Sequence, residues 1–229
     1  MMNLNHKIAL VTGASGGLGK SISQKLAKSG VQVFLTGRNT KKLKELLETN
    51  ESYIGAESLD LRNTEKIKDL INRVRPDILV NCAGIFPVQS IEDTTEEIFN
   101  ETFEVNIRAP FILTKQASCH MKDKGWGRII NIASSSAYAG FPNTSVYCAS
   151  KHALLGFSRS SYHELKKHGI RVYSFSPGSI KTKMGRQVEG QDYNTFMEPD
   201  EIAHFIVNAI KHDGNMISEE VRLNRVFIQ

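Results

Sequence analysis

Short apolar runs rich in β-branched residues alternate along the chain with longer segments in which apolar side chains recur at helical spacing. The short runs predict strands over Lys7–Thr12, Val31–Thr36, Tyr53–Leu59, Ile78–Asn81, Gly127–Ala133, Arg171–Phe175 and Arg222–Ile228. The longer segments predict helices over Leu18–Ser29, Lys41–Thr49, Glu65–Val74, Glu96–Lys122, Val146–Lys167 and Pro199–Lys211. Regular alternation of this kind yields an α/β protein, a doubly wound seven-stranded parallel sheet with helices on both faces and right-handed crossovers. One stretch, Lys181–Glu198, fits neither pattern and carries Gly185 and Gly190 among polar residues. An irregular segment of that length in a compact domain reads as a binding loop.

With 229 residues the chain is long enough for one well-built domain, taken as residues 1–229, and too short for two. Its 40% apolar and 23% charged composition is that of a soluble globular protein, and no apolar run approaches the length of a membrane span. The amino terminus has no signal-peptide pattern, so a cytoplasmic location is expected. Cys82, Cys119 and Cys148 are scattered and odd in number, fitting neither a disulfide framework nor a zinc site, and are expected as free thiols. The net charge of +5 raises the question of nucleic acid. Its densest cluster, Lys41, Lys42 and Lys44, is followed by Glu45, Glu48 and Glu51, the mixture of a solvated helix face. Neither nucleic acid nor membrane is expected as a partner.

Candidate chemistry begins at Thr12-Gly13-Ala14-Ser15-Gly16-Gly17-Leu18-Gly19, where the first predicted strand gives way to the first helix. Glycines there permit a tight turn and let a pyrophosphate approach the N–H groups at a helix amino terminus, where the dipole favours negative charge. Two other motifs overlap these residues. Ala14 to Ser21 fits a relaxed P-loop ending Gly19-Lys20-Ser21, although the strict form needs glycine at position 14 and only Asp60 follows a later strand to serve magnesium. Gly13-Ala14-Ser15-Gly16-Gly17 matches the nucleophile elbow of an α/β-hydrolase, but too little chain precedes Ser15 to supply the oxyanion hole. A turn without any ligand is the remaining reading.

A second constellation lies further on. Tyr147 and Lys151 are four residues apart on a predicted helix and share a face. Bringing a tyrosine from a pKa of about 10 to near neutrality takes roughly 4 kcal/mol of phenolate stabilisation, much of which an adjacent ammonium can supply. Ser134 stands thirteen positions before Tyr147, at the end of a predicted strand, where open α/β sheets place their ligand crevice. Ser135 and Ser136 compete for the same role.

The T-G-x-x-x-G-x-G turn, Ser134, Tyr147-x-x-x-Lys151 and Asn106 in Val105-Asn106-Ile107 together resemble the short-chain dehydrogenase/reductase family. Three further matches extend the resemblance over almost the whole chain. These are Asn81-Cys82-Ala83-Gly84, with Cys82 in place of an asparagine, Asp60-Leu61, and Pro177-Gly178-Ser179-Ile180-Lys181-Thr182. The resemblance implies a single-domain Rossmann-type fold and hydride transfer between a nicotinamide cofactor and a small carbonyl or alcohol substrate. It makes Tyr147 the general acid/base, Ser134 a hydrogen-bond donor to the substrate oxygen, and Lys151 a partner of tyrosine and nicotinamide ribose, with Asn106 holding a water beside that lysine. It assigns Gly13, Ser15, Gly17, Leu18, Gly19, Arg38, Asp60, Leu61, Asn81, Ala83, Gly84, Tyr147, Lys151, Pro177, Gly178, Ile180 and Thr182 to the cofactor, and no metal.

At the end of the second strand, Leu35-Thr36-Gly37-Arg38-Asn39 offers no carboxylate for a ribose hydroxyl, whereas the Arg38 guanidinium suits a 2′-phosphate. NADP(H) is therefore expected over NAD(H), although Gly16 stands where many NADP-specific members of that family carry a second basic residue. The alternatives are an NAD-dependent alcohol dehydrogenase of the same family and a dinucleotide-binding regulator without turnover. Tyr138, Phe141, Pro142 and Lys181–Glu198 are expected around the substrate, and the two long helices imply a homodimer or homotetramer.

Overall fold

A computed structural model describes residues 2–226 of the chain. Among the described residues seven strands form one parallel sheet: β1 (Ile8–Thr12), β2 (Gln32–Gly37), β3 (Tyr53–Ser58), β4 (Ile78–Asn81), β5 (Gly127–Ile132), β6 (Ile170–Pro177) and β7 (Glu220–Leu223). Their order is β3-β2-β1-β4-β5-β6-β7, so the direction of winding reverses between β1 and β4 and leaves a crevice at their carboxyl ends. Helices α1 (Gly17–Ala27), α2 (Thr40–Leu47), α3 (Thr64–Val74), α4 (Glu96–Phe103), α5 (Ala109–Lys124), α6 (Ser145–Leu165) and α7 (Pro199–Ile210) cover the sheet.

Strand alternation sorts the core into two layers. Ala9, Val11, Val33, Leu35, Ile78, Val80, Ile130 and Phe175 face α1 and α7 through Ile22, Leu26, Ile202 and Ile206. Leu10, Leu79, Ile129 and Val172 face the opposite way, onto Ile67, Leu70, Leu113 and Leu165. With both faces covered, the central strands read as continuous apolar runs.

Two expected elements differ. The helix expected over Glu96–Lys122 is α4, a π-helical stretch at Glu104–Arg108, and α5. Pro110 explains the interruption: it has no N–H for the carbonyl four residues back, that of Asn106, and its ring crowds that oxygen, so the helix widens there. The last strand, expected over Arg222–Ile228, starts two residues earlier and pairs Glu220–Leu223 with Ser174–Pro177. Its entry is fixed by Glu220, whose carboxylate takes hydrogen bonds from Tyr138 Oη (2.7 Å) and Arg159 Nε (2.7 Å), a charged anchor that an apolar pattern does not reveal. Phe227 and Ile228, the end of that expectation, lie outside the described residues. Lys181–Glu198 is irregular as expected, with short 3₁₀ turns at Gly185–Gln187 and Tyr193–Thr195. No helix among the described residues is long and apolar enough to cross a membrane.

Candidate active site

The carboxyl ends of the strands open into a cleft of about 1290 Å³ that runs from the glycine turn to the loop after β6. The turn is glycine for steric reasons. Gly13 has φ +70°, and a Cβ on it would stand 3.0 Å from the Ala83 backbone, while one on Gly19 would collide with the carbonyl oxygen of Gly13. A Cβ on Gly17 would meet Thr182 Cγ2 at 2.5 Å. Thr12 ties this turn to the end of β4: its hydroxyl accepts from the N–H groups of Cys82 (3.0 Å) and Ala83 (3.1 Å) and donates to Val80 O (3.2 Å). Helix α1 begins with no side-chain cap and no acidic residue in its first turn, so its first N–H groups face the cleft without a side-chain acceptor. A backbone cradle free of Cβ atoms at a positive helix end fits a pyrophosphate.

Beyond the turn, exposed Arg38 lines the cleft after β2, and its guanidinium has no hydrogen bond or ion pair among the described residues. Lys42, on the first turns of α2, lines the same wall and was not singled out from the sequence, where it looked like part of a solvated face. Asp60 and Leu61 follow β3 into the cleft. Hydrogen bonds from the Arg62 side chain (Nη2 to Oδ2 2.6 Å, Nε to Oδ1 3.0 Å) and then from its backbone N–H (to Oδ1, 3.0 Å) hold the Asp60 carboxyl down at about 2.

At the other end, α6 carries Tyr147 and Lys151 on one buried face, 7% and 5% exposed, and the end of β5 delivers Ser134 beside them. Lys151 Nζ donates to Ile132 O (2.9 Å) and lies 5.7 Å from the Tyr147 ring centre. Phe86 packs edge-on against the tyrosine with ring centres 4.6 Å apart, a wall residue that no sequence signal marked. Ala83, Gly84, Pro177, Gly178, Ile180 and Thr182 line the space between tyrosine and glycine turn. A Cβ on Gly84 would come within 3.2 Å of Asn106 Oδ1 and 3.7 Å of Lys151 Nζ.

Burial sets the protonation states. It pushes the Tyr147 phenol up to about 12, with the Ser134 hydroxyl pulling weakly the other way, and it brings Lys151 down to about 8. Desolvation of the phenolate runs against the expected shift of the phenol towards neutrality, and the tyrosine holds its proton at pH 7. Burial likewise raises the Cys82 thiol to about 12 against the nearby Lys151 charge.

Three expected residues sit elsewhere. Asn106 is 1% exposed and stands behind the cleft wall, where Oδ1 accepts from Ile85 N (2.9 Å) and Nδ2 donates to Ile85 O (3.0 Å) and Ser150 Oγ (3.1 Å). Asn81 does not line the cleft. Its amide donates to Asn131 Oδ1 (2.8 Å), whose own amide reaches Ser158 Oγ (2.9 Å), a buried chain that ties β4 and β5 to α6. Tyr138 is bonded to Glu220, whereas Phe141 and Pro142 do line the cleft.

A doubly wound parallel sheet with a phosphate-ready helix end and a buried tyrosine and lysine beside a half-buried serine in one cleft defines a nicotinamide-dependent oxidoreductase. The chain belongs to the short-chain dehydrogenase family, whose model matches residues 7–192. A 3-oxoacyl-[acyl-carrier-protein] reductase of Rickettsia typhi is 39% identical over 185 residues, covering 80% of this chain and 77% of the relative. The crystal structure of an actinorhodin polyketide ketoreductase variant with NADPH is similar at a TM-score of 0.88 and 29% identity, covering 98% of this chain and 97% of that one. A 4-hydroxyisoleucine dehydrogenase mutant complexed with NADH and succinate is similar at a TM-score of 0.87 and 27% identity, covering 96% and 97%.

Proposed function

We propose that the protein reduces a carbonyl group at the expense of NADPH, and oxidises the alcohol in reverse, with Tyr147 as the proton donor. The observation that carries this reading is the buried Tyr147 beside Ser134 and Lys151, in the same cleft as the glycine cradle. The cradle of Gly13, Ser15, Gly17, Leu18 and Gly19 holds the pyrophosphate, Arg38 and Lys42 the adenosine phosphate, Asp60 and Leu61 the adenine, and Pro177, Gly178, Ile180 and Thr182 the nicotinamide end. Bound there, the reduced nicotinamide supplies the hydride.

The chain's own groups do the rest. Ser134 Oγ positions the carbonyl oxygen and Tyr147 Oη gives it a proton. The phenolate left behind is stabilised by the Lys151 ammonium, charged at pH 7 because its pKa of about 8 lies above that pH. Asn106 acts by fixing the Ile85 backbone, which sets the wall opposite Lys151. The oxidative direction needs the phenol deprotonated and is therefore favoured by rising pH, the reductive direction by neutral pH.

Arg38 accounts for the cofactor preference as a planar cation without an ion pair among the described residues, at a strand end whose own residues carry no carboxylate. Arg38→Ala is expected to weaken NADPH binding about 10- to 100-fold, as loss of a charge-assisted contact implies, and to leave NADH binding little changed. Fluorescence titration with both cofactors checks this, and unaltered NADPH affinity would remove Arg38 from the site.

A homo-oligomer built on α5 and α6 completes the reading. Phe111 on α5 is 47% exposed and packs edge-on against Phe157 of α6 at 6.0 Å, an apolar pair left facing outward. Phe111→Glu is expected to lower the mass seen by light scattering to that of a smaller assembly. An unchanged mass would place the interface elsewhere.

A further inference from the structure

The loop over 181–198 is held in place by a network at its back. Ser179 Oγ donates to Gln191 Oε1 (2.9 Å), and Arg225, in the segment after β7, donates to the same oxygen from Nη2 (2.8 Å) and to Thr195 Oγ1 from Nη1 (2.6 Å). Arg225 also lies 5.2 Å over the ring of buried Phe196. Lys181 Nζ reaches Glu198 at 2.6 Å. These two cations have structural partners.

Arg186 does not. Its guanidinium lies 4.3 Å over the ring of Tyr193, on the wall of the cleft, and it has no side-chain hydrogen bond or ion pair among the described residues. A contact with an aromatic face orients a guanidinium without consuming its N–H donors. The same cleft is lined by apolar Phe86, Val88, Phe141, Pro142, Met184 and Val188, while exposed Lys183, Gln187 and Glu189 flank Arg186 along the loop. An oriented guanidinium without an ion pair among the described residues, exposed on the wall of a cleft that also offers apolar side chains, matches an oxyanion that two parallel N–H groups can grip.

We propose that Arg186 recognises an anionic group on the substrate, so that the protein acts on a carbonyl compound with an apolar stem ending in a carboxylate or phosphate. This rests on the carbonyl-reductase reading above and names the substrate class of that same site. The test is steady-state NADPH oxidation by the full chain with two matched pairs, levulinate against methyl levulinate and dihydroxyacetone phosphate against dihydroxyacetone.

Wild type is expected to favour the anionic member of at least one pair, and the pair with the larger kcat/KM ratio identifies carboxylate or phosphate. Arg186→Gln is expected to lower that ratio about 10- to 100-fold, and Arg186→Lys to keep part of it. Equal rates within both pairs in wild type would overturn the proposal. So would an Arg186→Gln variant in which both members fall together, the mark of a structural role, or one in which only the KM for NADPH rises, which would assign Arg186 to the cofactor. Failure of the underlying reading looks different: no NADPH oxidation with the neutral members, nor with any of a broad panel of ketones and aldehydes.

Discussion

Tyr147→Phe is expected to lower kcat/KM for carbonyl reduction about 100- to 10,000-fold, the range that removal of a positioned general acid produces. Only the hydroxyl goes. The ring keeps its edge-on contact with Phe86, and its site on α6 is 7% exposed, so the variant is expected to fold and to pack as wild type does. Because burial pushes the phenol up to about 12, the lost group is neutral at pH 7, and no buried charge is left without its partner. The loss therefore lands on the chemical step rather than on stability. Fluorescence titration is expected to show a far smaller loss of NADPH affinity than of turnover, since the glycine cradle and Arg38 are untouched. A variant within a few-fold of wild type would take the tyrosine out of the mechanism.

The sheet was legible because burial of its central strands on both faces writes itself into the sequence as continuous apolar runs, and the glycine turn because a missing Cβ is visible as a residue type. Other features depend on what packs behind a residue, which spacing does not report. Asn81 at a strand end and Asn106 within the expected long helix both read as polar residues of the site, yet one joins a buried amide chain between β4, β5 and α6 and the other clamps Ile85. Pro110 lies inside the single helix expected over Glu96–Lys122, and a proline alone does not say whether a helix kinks or widens. Lys42 and Arg186 were hidden for the opposite reason: cations among polar neighbours look solvated until the fold puts them on a concave wall. The desolvation that raises the Tyr147 phenol is likewise invisible in the sequence, which shows only that Lys151 stands four residues away.

That same desolvation gives Lys151→Met an expected result of two opposite signs. Burial lowers the lysine to about 8 in the folded protein, against roughly 10.4 for an unfolded chain. Between those values the unfolded state binds more protons than the folded one, so stability rises with pH across the window from about 8 to about 10. Below it the lysine is charged in both states and the full cost of burying the ammonium is present, on the order of 3 kcal/mol. Methionine has nearly the same length and no charge to desolvate, so Lys151→Met is expected to raise the melting temperature at pH 7 by several degrees, offset in part by loss of the bond to Ile132 O. The advantage over wild type is expected to shrink as pH climbs from 8 to 10. Turnover moves the other way, falling about 100-fold or more, because the phenolate formed at Tyr147 then has no cation beside it in a buried site. Melting curves across that pH range, set beside kcat/KM at pH 7, check both halves. A melting temperature that fell at every pH would mean that the lysine stabilises the cleft, whereas a more stable but inactive protein would show that the charge is kept at a cost in stability because the reaction needs it.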